Sequence, residues 1–370
     1  MNDCLVIGGG VIGLSIAWEL ARRGQSVQLV DQGKLAREAS WAGAGILPPA
    51  ARPLAIHPYD QLRAMAFEMH REWSARLLRE TGIHNGYQQN GAIYLARSAG
   101  EVASLVAWSQ LASDEQVQIE KLTPARLREI EPAIAPAPSS KPLRATYFLP
   151  EECQIRNPRH LQSLIRACQQ AGVELIENSP LVDLQLHGGE VVAAITSQGE
   201  LRAKNYCIAT GAWSGILLQK LGFEVGVLPI RGQMLLLKTD APILRTIVNE
   251  GPRYMVPRDD GHLLIGATEE EVGFDKRNTE EALADLHQFA IELVPSLASA
   301  QVVQSWAGLR PASYDGFPYL GKLPNLANAF VAAGHFRSGL YLSPATAMVM
   351  SDLISGITPA VDLSPFCVLR

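Results

Sequence analysis

An apolar run that stops in glycines opens the chain: residues 4–9 read CLVIGG. Small and apolar residues then recur at helical spacing from 11 to 23, at Ile12, Ile16, Ala17 and Leu20, and Gly24 closes that helix. Residues 26–30, SVQLV, form a second apolar strand ending in Asp31 and Gln32. The order is strand, glycine turn, helix, strand, acid. Gly8 permits the tight turn out of the strand, Gly10 lets a pyrophosphate approach the backbone, and Gly13 lets helix and strand pack closely. The helix start, with Ile12 in its first turn, presents N–H groups and a partial positive charge to phosphates. Asp31, 18 residues after Gly13, can accept hydrogen bonds from a ribose diol and disfavours a 2′-phosphate. A bare G-x-G-x-x-G is a weak signal. Its full βαβ setting makes dinucleotide binding the reading here, against a purely structural glycine turn. The motif by itself does not separate FAD from NAD.

Composition sets the frame around this motif. The chain has 370 residues, 47% apolar and 19% charged, enough to bury a large core and too apolar for global disorder. That length suits two domains or one interleaved unit. A net charge of −5, with no basic patch, argues against nucleic acid as a partner. The five cysteines, Cys4, Cys153, Cys168, Cys207 and Cys367, show no C-x-x-C pair and no zinc spacing. They read as single thiols in a reducing compartment. The apolar stretch 338–351 is 14 residues long and contains Pro344, too short for a membrane span and suited to a buried helix. The first strand begins almost at once, with no signal peptide before it. A cytoplasmic location is the expectation.

Three further segments bear on the cofactor. After Asp31 an NAD enzyme would continue through βαβ units. This chain enters a small-residue loop at 39–47, ASWAGAGIL, before Pro48 and Pro49. Backbone at Ala39, Ser40, Ala44, Gly45 and Ile46 can approach a planar ring, although an ordinary loop has the same composition. Residues 207–214, CIATGAWS, close a strand with Thr210, Gly211 and Trp213. Residues 334–344, GHFRSGLYLSP, form a glycine-bounded turn that opens a helix. N–H groups there, from Gly334 through His335, Phe336, Arg337, Ser338, Gly339, Leu340 and Tyr341, can face an electron-rich ring edge such as flavin N1/O2.

Together with YMVPR at 254–258, IGAT at 265–268 and WAGLRPASYDGFPYLG at 306–321, these pieces resemble the FAD-dependent D-amino-acid oxidase superfamily, and within it the glycine oxidases. The likeness spans essentially the whole chain. It implies an α/β fold (α+β overall), with a Rossmann-like FAD-binding domain and a second, mostly antiparallel β substrate domain carrying helices. The FAD domain is expected at 1–50, 142–220 and 302–370, and the substrate domain at 51–141 and 221–301. The prolines from Pro132 to Pro142, including Pro136 and Pro138, fit a boundary loop. The implied cofactor is non-covalent FAD, since no cysteine lies between 208 and 366 to form a thioether link. Leu181 and Val182 fall where such proteins contact the adenine end through backbone, or serve only as core strand residues. Asp31 stands where glutamate is commoner in such proteins, and Pro252 where a histidine occurs.

The resemblance also assigns the substrate groups. Arg310, between apolar neighbours, is implied as the carboxylate clamp; chemistry alone equally allows a structural salt bridge. Tyr254 would donate to the same carboxylate, unless it is a half-buried strand tyrosine. Arg337 would contact substrate or flavin, and Ile46 would wall the pocket. His335 is expected to matter through its backbone, not its imidazole. The implied reaction is oxidative deamination of glycine or another small amine (sarcosine, small D-amino acids). Flavin takes hydride, O2 returns H2O2, and the imine hydrolyses, with a link to the thiazole of thiamine. A dehydrogenase with another electron acceptor is the alternative within this class. A non-catalytic nucleotide-binding protein leaves Tyr254, Arg310 and Arg337 without a shared task. The partners are a small amino acid and O2, with homo-oligomer formation left open.

Overall fold

The structure, a computed structural model, describes residues 1–50, 55–136 and 140–370. Pro138 of the expected boundary loop and residue 51 of the expected domain border lie outside them. The opening βαβ unit forms as the glycine pattern predicts, with strands Asn2–Ile7 and Val27–Val30 around the helix Val11–Arg22. The two strands run parallel and join Glu174–Ile176, Ala203–Ile208 and Ala329–Ala333, with Tyr319–Lys322 antiparallel at the edge. This is a six-stranded Rossmann-like sheet. Alternation sends Cys4 and Val6 to one face and Leu5 and Ile7 to the other. The first face packs on the helices Val11–Arg22, Asn157–Gln170 and Gly339–Ile354. The second packs on a small antiparallel sheet, Leu181–His187, Glu190–Thr196 and Gly199–Leu201.

An eight-stranded sheet forms the second layer system. It is antiparallel except where Ala92–Ala96 runs beside Ile247–Glu250. One face buries Leu235, Leu237 and Ile265 against the helix Glu280–Leu293. The other face presents Met234, Tyr254 and Trp306 to Ala44 and Ile46 of the cofactor side. A three-stranded ribbon, Ile46–Leu47, Cys153–Gln154 and Gln88–Gln89, ties the halves together.

Hydrogen bonding does not follow the expected domain borders at every point. Ala145–Leu149 and Gln301–Ser313 pair within the eight-stranded sheet, although borders at 142 and 302 put them with the cofactor unit. The helix Pro58–Thr81, expected in the substrate unit, packs on the Rossmann-side helices. It buries Leu62, Ala66, Trp73 and Leu77 there, and the rings of Trp73 and Trp18 meet edge to face at 4.8 Å. Its apolar stripe faces that helical surface. The stretch 39–47 is also more regular than a loop: Ala39–Ala42 is a short helix and Ile46–Leu47 a strand. The five cysteines are free thiols, four of them buried. Among the described residues no helix is long and apolar enough to cross a membrane.

Candidate active site

A cavity of about 590 Å³ lies where the two sheets meet, a size typical of ligand pockets. It reaches from Asp31, Gln32 and Leu181, past Gly8, Gly10 and Ile12, to Tyr254, Arg310 and Arg337. Thr210, Gly211 and Trp213, the segment from Ala39 through Ile46, and the turn from Gly334 to Tyr341 complete its wall. Of the expected site residues, Gly13 and Val182 do not line it. Gly13 sits beneath it, where a Cβ would run into the Gly8 carbonyl oxygen, so its task is helix–strand packing. Val182 is 55% exposed, so it is not a core strand residue. It is the second residue of the strand Leu181–His187. Leu181 is the member of that pair that turns inward.

The nucleotide end is held by backbone and one acid. Gly8 takes φ +113, a conformation that favours glycine, and a Cβ there would overlap Ala209. Asp31 accepts from the N–H of Gly9 at 2.7 Å and of Gly33 at 2.8 Å. Burial pushes its pKa up, and those two N–H bonds oppose the shift. Each carboxylate oxygen retains a further lone pair for a ribose hydroxyl.

The segment at 40–46 is fixed from four sides. Ser40 Oγ accepts from Val11 N–H at 2.9 Å, and its carbonyl accepts from Asn157 Nδ2 at 2.7 Å. Trp306 Nε1 donates to the Ala42 carbonyl at 3.1 Å. Arg258 donates to the Ala44 carbonyl at 2.7 Å, to the Ile155 carbonyl at 3.2 Å and to Gln154 Oε1. Ile155 N–H donates to the Gly45 carbonyl at 2.8 Å. Asn157 lines the cavity, and its Oδ1 is buried beside Gly45 without a hydrogen-bond partner. The residues present therefore fit FAD: a phosphate-approaching glycine turn, an acid for ribose, and a rigid small-residue wall.

The opposite wall carries the charged groups. Arg310 lies on Gln301–Ser313, paired in register with Ile230 of Val227–Lys238. Its guanidinium lies across Gly232, where a Cβ would overlap it. Nη1 donates to the Thr268 carbonyl at 3.0 Å, and among the described residues no carboxylate pairs with it. Tyr254, opposite Gly266 on the neighbouring strand, points its hydroxyl at Met234 Sδ, 3.4 Å away. Burial pushes the tyrosine's pKa up, while the adjacent Arg310 and the more distant Arg337 pull it down. The phenol therefore stays protonated and can donate. Arg337 pairs with Glu269. His335 is 3% exposed, its Nε2 is 3.2 Å from Thr346 Oγ1, and burial lowers its pKa to about 3. It is a neutral packing group whose imidazole turns toward the helix behind it.

Sequence reasoning missed Gly232, Met234 and Asn157. The first two reach the site only through strand register. Asn157 had a local signal, as the residue before a proline at a helix start, but nothing in its sequence setting points to the cavity.

Fold and cleft together define a dinucleotide-binding flavoprotein oxidoreductase. The chain belongs to the FAD dependent oxidoreductase family, DAO, which it matches over residues 3–353. It is 38% identical to the glycine oxidase of Pseudomonas aeruginosa over 372 aligned positions, covering 98% of this chain and 97% of the relative. It is 32% identical to the bifunctional protein ThiO/ThiG of Trichormus variabilis, covering 95% of this chain and 52% of that protein. The crystal structure of glycine oxidase from Geobacillus kaustophilus superposes with a TM-score of 0.93 at 32% identity, covering all of this chain and 98% of that one. The protein is an enzyme, an FAD-dependent amino-acid oxidase.

Proposed function

We propose that this enzyme oxidises glycine and comparably small amines to the imine, with O2 as electron acceptor. The observation that carries the reading is Arg310, a guanidinium on the cavity wall with no carboxylate partner among the described residues, beside the donor Tyr254. A guanidinium fork and a phenol are the donor set for one carboxylate. Ile46, Met234 and Pro252 leave room around them for a short substrate. The relatives named glycine oxidase support the same choice.

FAD, when bound, accepts a hydride from carbon and passes two electrons to O2, giving H2O2. The chain's own residues bind and orient. Arg310 and Tyr254 hold the carboxylate, and Ile46 and Met234 limit how far the substrate can shift. Among the described residues no side chain on this wall is placed as a base, so the amine must arrive neutral, and catalysis rests on orientation and electrostatics. The six-stranded sheet and its helices serve as the cofactor unit, and the eight-stranded sheet supplies the substrate groups. A cytoplasmic enzyme feeding the thiazole branch of thiamine fits this role, supported by the free thiols and the likeness to ThiO/ThiG.

Arg310→Ala tests the assignment. Removing the fork leaves the carboxylate without its charge partner, at a cost of about 2–5 kcal/mol in transition-state binding. Glycine kcat/KM, followed by peroxide release, is expected to fall by that factor. A variant within threefold of wild type, or a wild type that releases no peroxide with glycine, sarcosine or D-alanine, would sink the reading.

A further inference from the structure

Three consecutive residues, Thr268, Glu269 and Glu270, each engage a different arginine. The Thr268 carbonyl accepts from Arg310 Nη1 at 3.0 Å. Glu270 accepts from Arg231 Nε at 2.9 Å and Nη2 at 3.1 Å, from Gln233 Nε2 at 2.9 Å and from the Thr268 hydroxyl at 2.9 Å. Its backbone bonds Arg231 in both directions, at 2.8 and 3.0 Å. Arg231 is 5% and Gln233 0% exposed, so Glu270 is anchored in the sheet. In extended backbone the neighbouring side chain points the other way, and Glu269 there pairs with Arg337.

The electrostatic consequence is unequal. Arg310 meets a neutral carbonyl and keeps its charge for a ligand. Arg337, on the same cavity wall, is already matched by a carboxylate. We propose that Glu269 is a specificity-determining residue that restricts the site to substrates with a single carboxylate. Both arginines line one cavity and both act on Tyr254, so a dicarboxylic amine with its first carboxylate on Arg310 can bring its second toward Arg337. There it must displace Glu269 or sit beside a like charge. The pair is half exposed, with side-chain exposures of 49% and 41%, so solvent screens the effect and discrimination of about twofold to fivefold is expected. This inference rests on the assignment of Arg310 as the carboxylate clamp.

The test uses flavin-loaded enzyme and two unreactive ligands, diglycolate and methoxyacetate, which differ chiefly by the second carboxylate. Dissociation constants come from flavin absorbance, and their ratio cancels effects common to both. Glu269→Gln should shift the ratio toward diglycolate by about twofold to fivefold, and Glu269→Gln combined with Arg337→Gln should restore the wild-type ratio. A ratio unchanged in Glu269→Gln, or a shift that persists in the double variant, overturns the proposal. Should Glu269→Gln fail to load flavin, Arg337→Gln decides. It strips Glu269 of its partner and should weaken diglycolate further relative to methoxyacetate, and an unchanged or improved ratio is the contrary result. Failure of the Arg310 assignment reads differently: methoxyacetate would then bind wild type and Arg310→Ala alike.

Discussion

Arg258 and Arg310 both have guanidinium groups inside the protein, and their partners set them apart. Arg258 is 9% exposed, and burial pushes its pKa down to about 10, so it stays protonated near neutrality. Three oxygen acceptors absorb its donors and lock Ala44 in place. Arg310 has one carbonyl and donors to spare. A third buried ionisable group, Glu152, is fully buried and takes a hydrogen bond from the Tyr94 hydroxyl at 2.7 Å. Burial raises its pKa from 4.5 to about 7, and the tyrosine only partly offsets this. The folded state therefore holds that proton more tightly than the unfolded chain. The associated stability is fully present below pH 4.5 and is lost as pH rises through about 7. At 1.36 kcal/mol per unit the swing is about 3 kcal/mol. Glu152→Gln cannot ionise, so its stability relative to wild type should rise by that order between pH 4.5 and pH 8 in urea unfolding. Parallel pH profiles for the two proteins would contradict the assignment.

At the scale of elements, the helix Gly339–Ile354 shows how sequence and packing meet. Pro344 lies inside it and has no N–H for the Leu340 carbonyl. The hydroxyl of Ser343, itself 0% exposed, donates to that carbonyl at 2.9 Å. Ser343→Ala should leave a carbonyl unpaired and cost about 1–3 kcal/mol, read as a lower unfolding midpoint with an unchanged urea dependence; a loss under 0.3 kcal/mol, by order of magnitude, would show that the hydroxyl is idle. This element was legible from its apolar run. The helix Ala99–Asp114 was not. It buries only Ala112, so it has no stripe to read, and its signal is the Ser98–Glu101 capping box. The same division runs through the site. Gly8, Asp31, Thr210 and Gly334 sit at strand ends, where local turn chemistry marks them. Gly232 and Met234 reach the cavity because Val227–Lys238 pairs with a strand some 70 residues later, Gln301–Ser313. No short sequence window contains that register.

At the scale of the molecule, the cavity exists because one face of each sheet turns toward the other. The Rossmann-like half brings glycine turns and helix starts, which suit phosphates and a flavin edge. The antiparallel half brings Arg310 and Tyr254, which suit a carboxylate. Neither half alone has both, and the segment at 40–46, bonded to both, sets the spacing between them. Anaerobic reduction of the bound flavin by glycine tests this joint construction, because it requires groups from both halves at once. Purified enzyme loaded with FAD is titrated with glycine in the absence of oxygen, and its visible spectrum is followed before air is admitted. The account predicts that glycine bleaches the flavin and that air restores the spectrum with release of peroxide. A bound flavin that stays oxidised through glycine, sarcosine and D-alanine would contradict it.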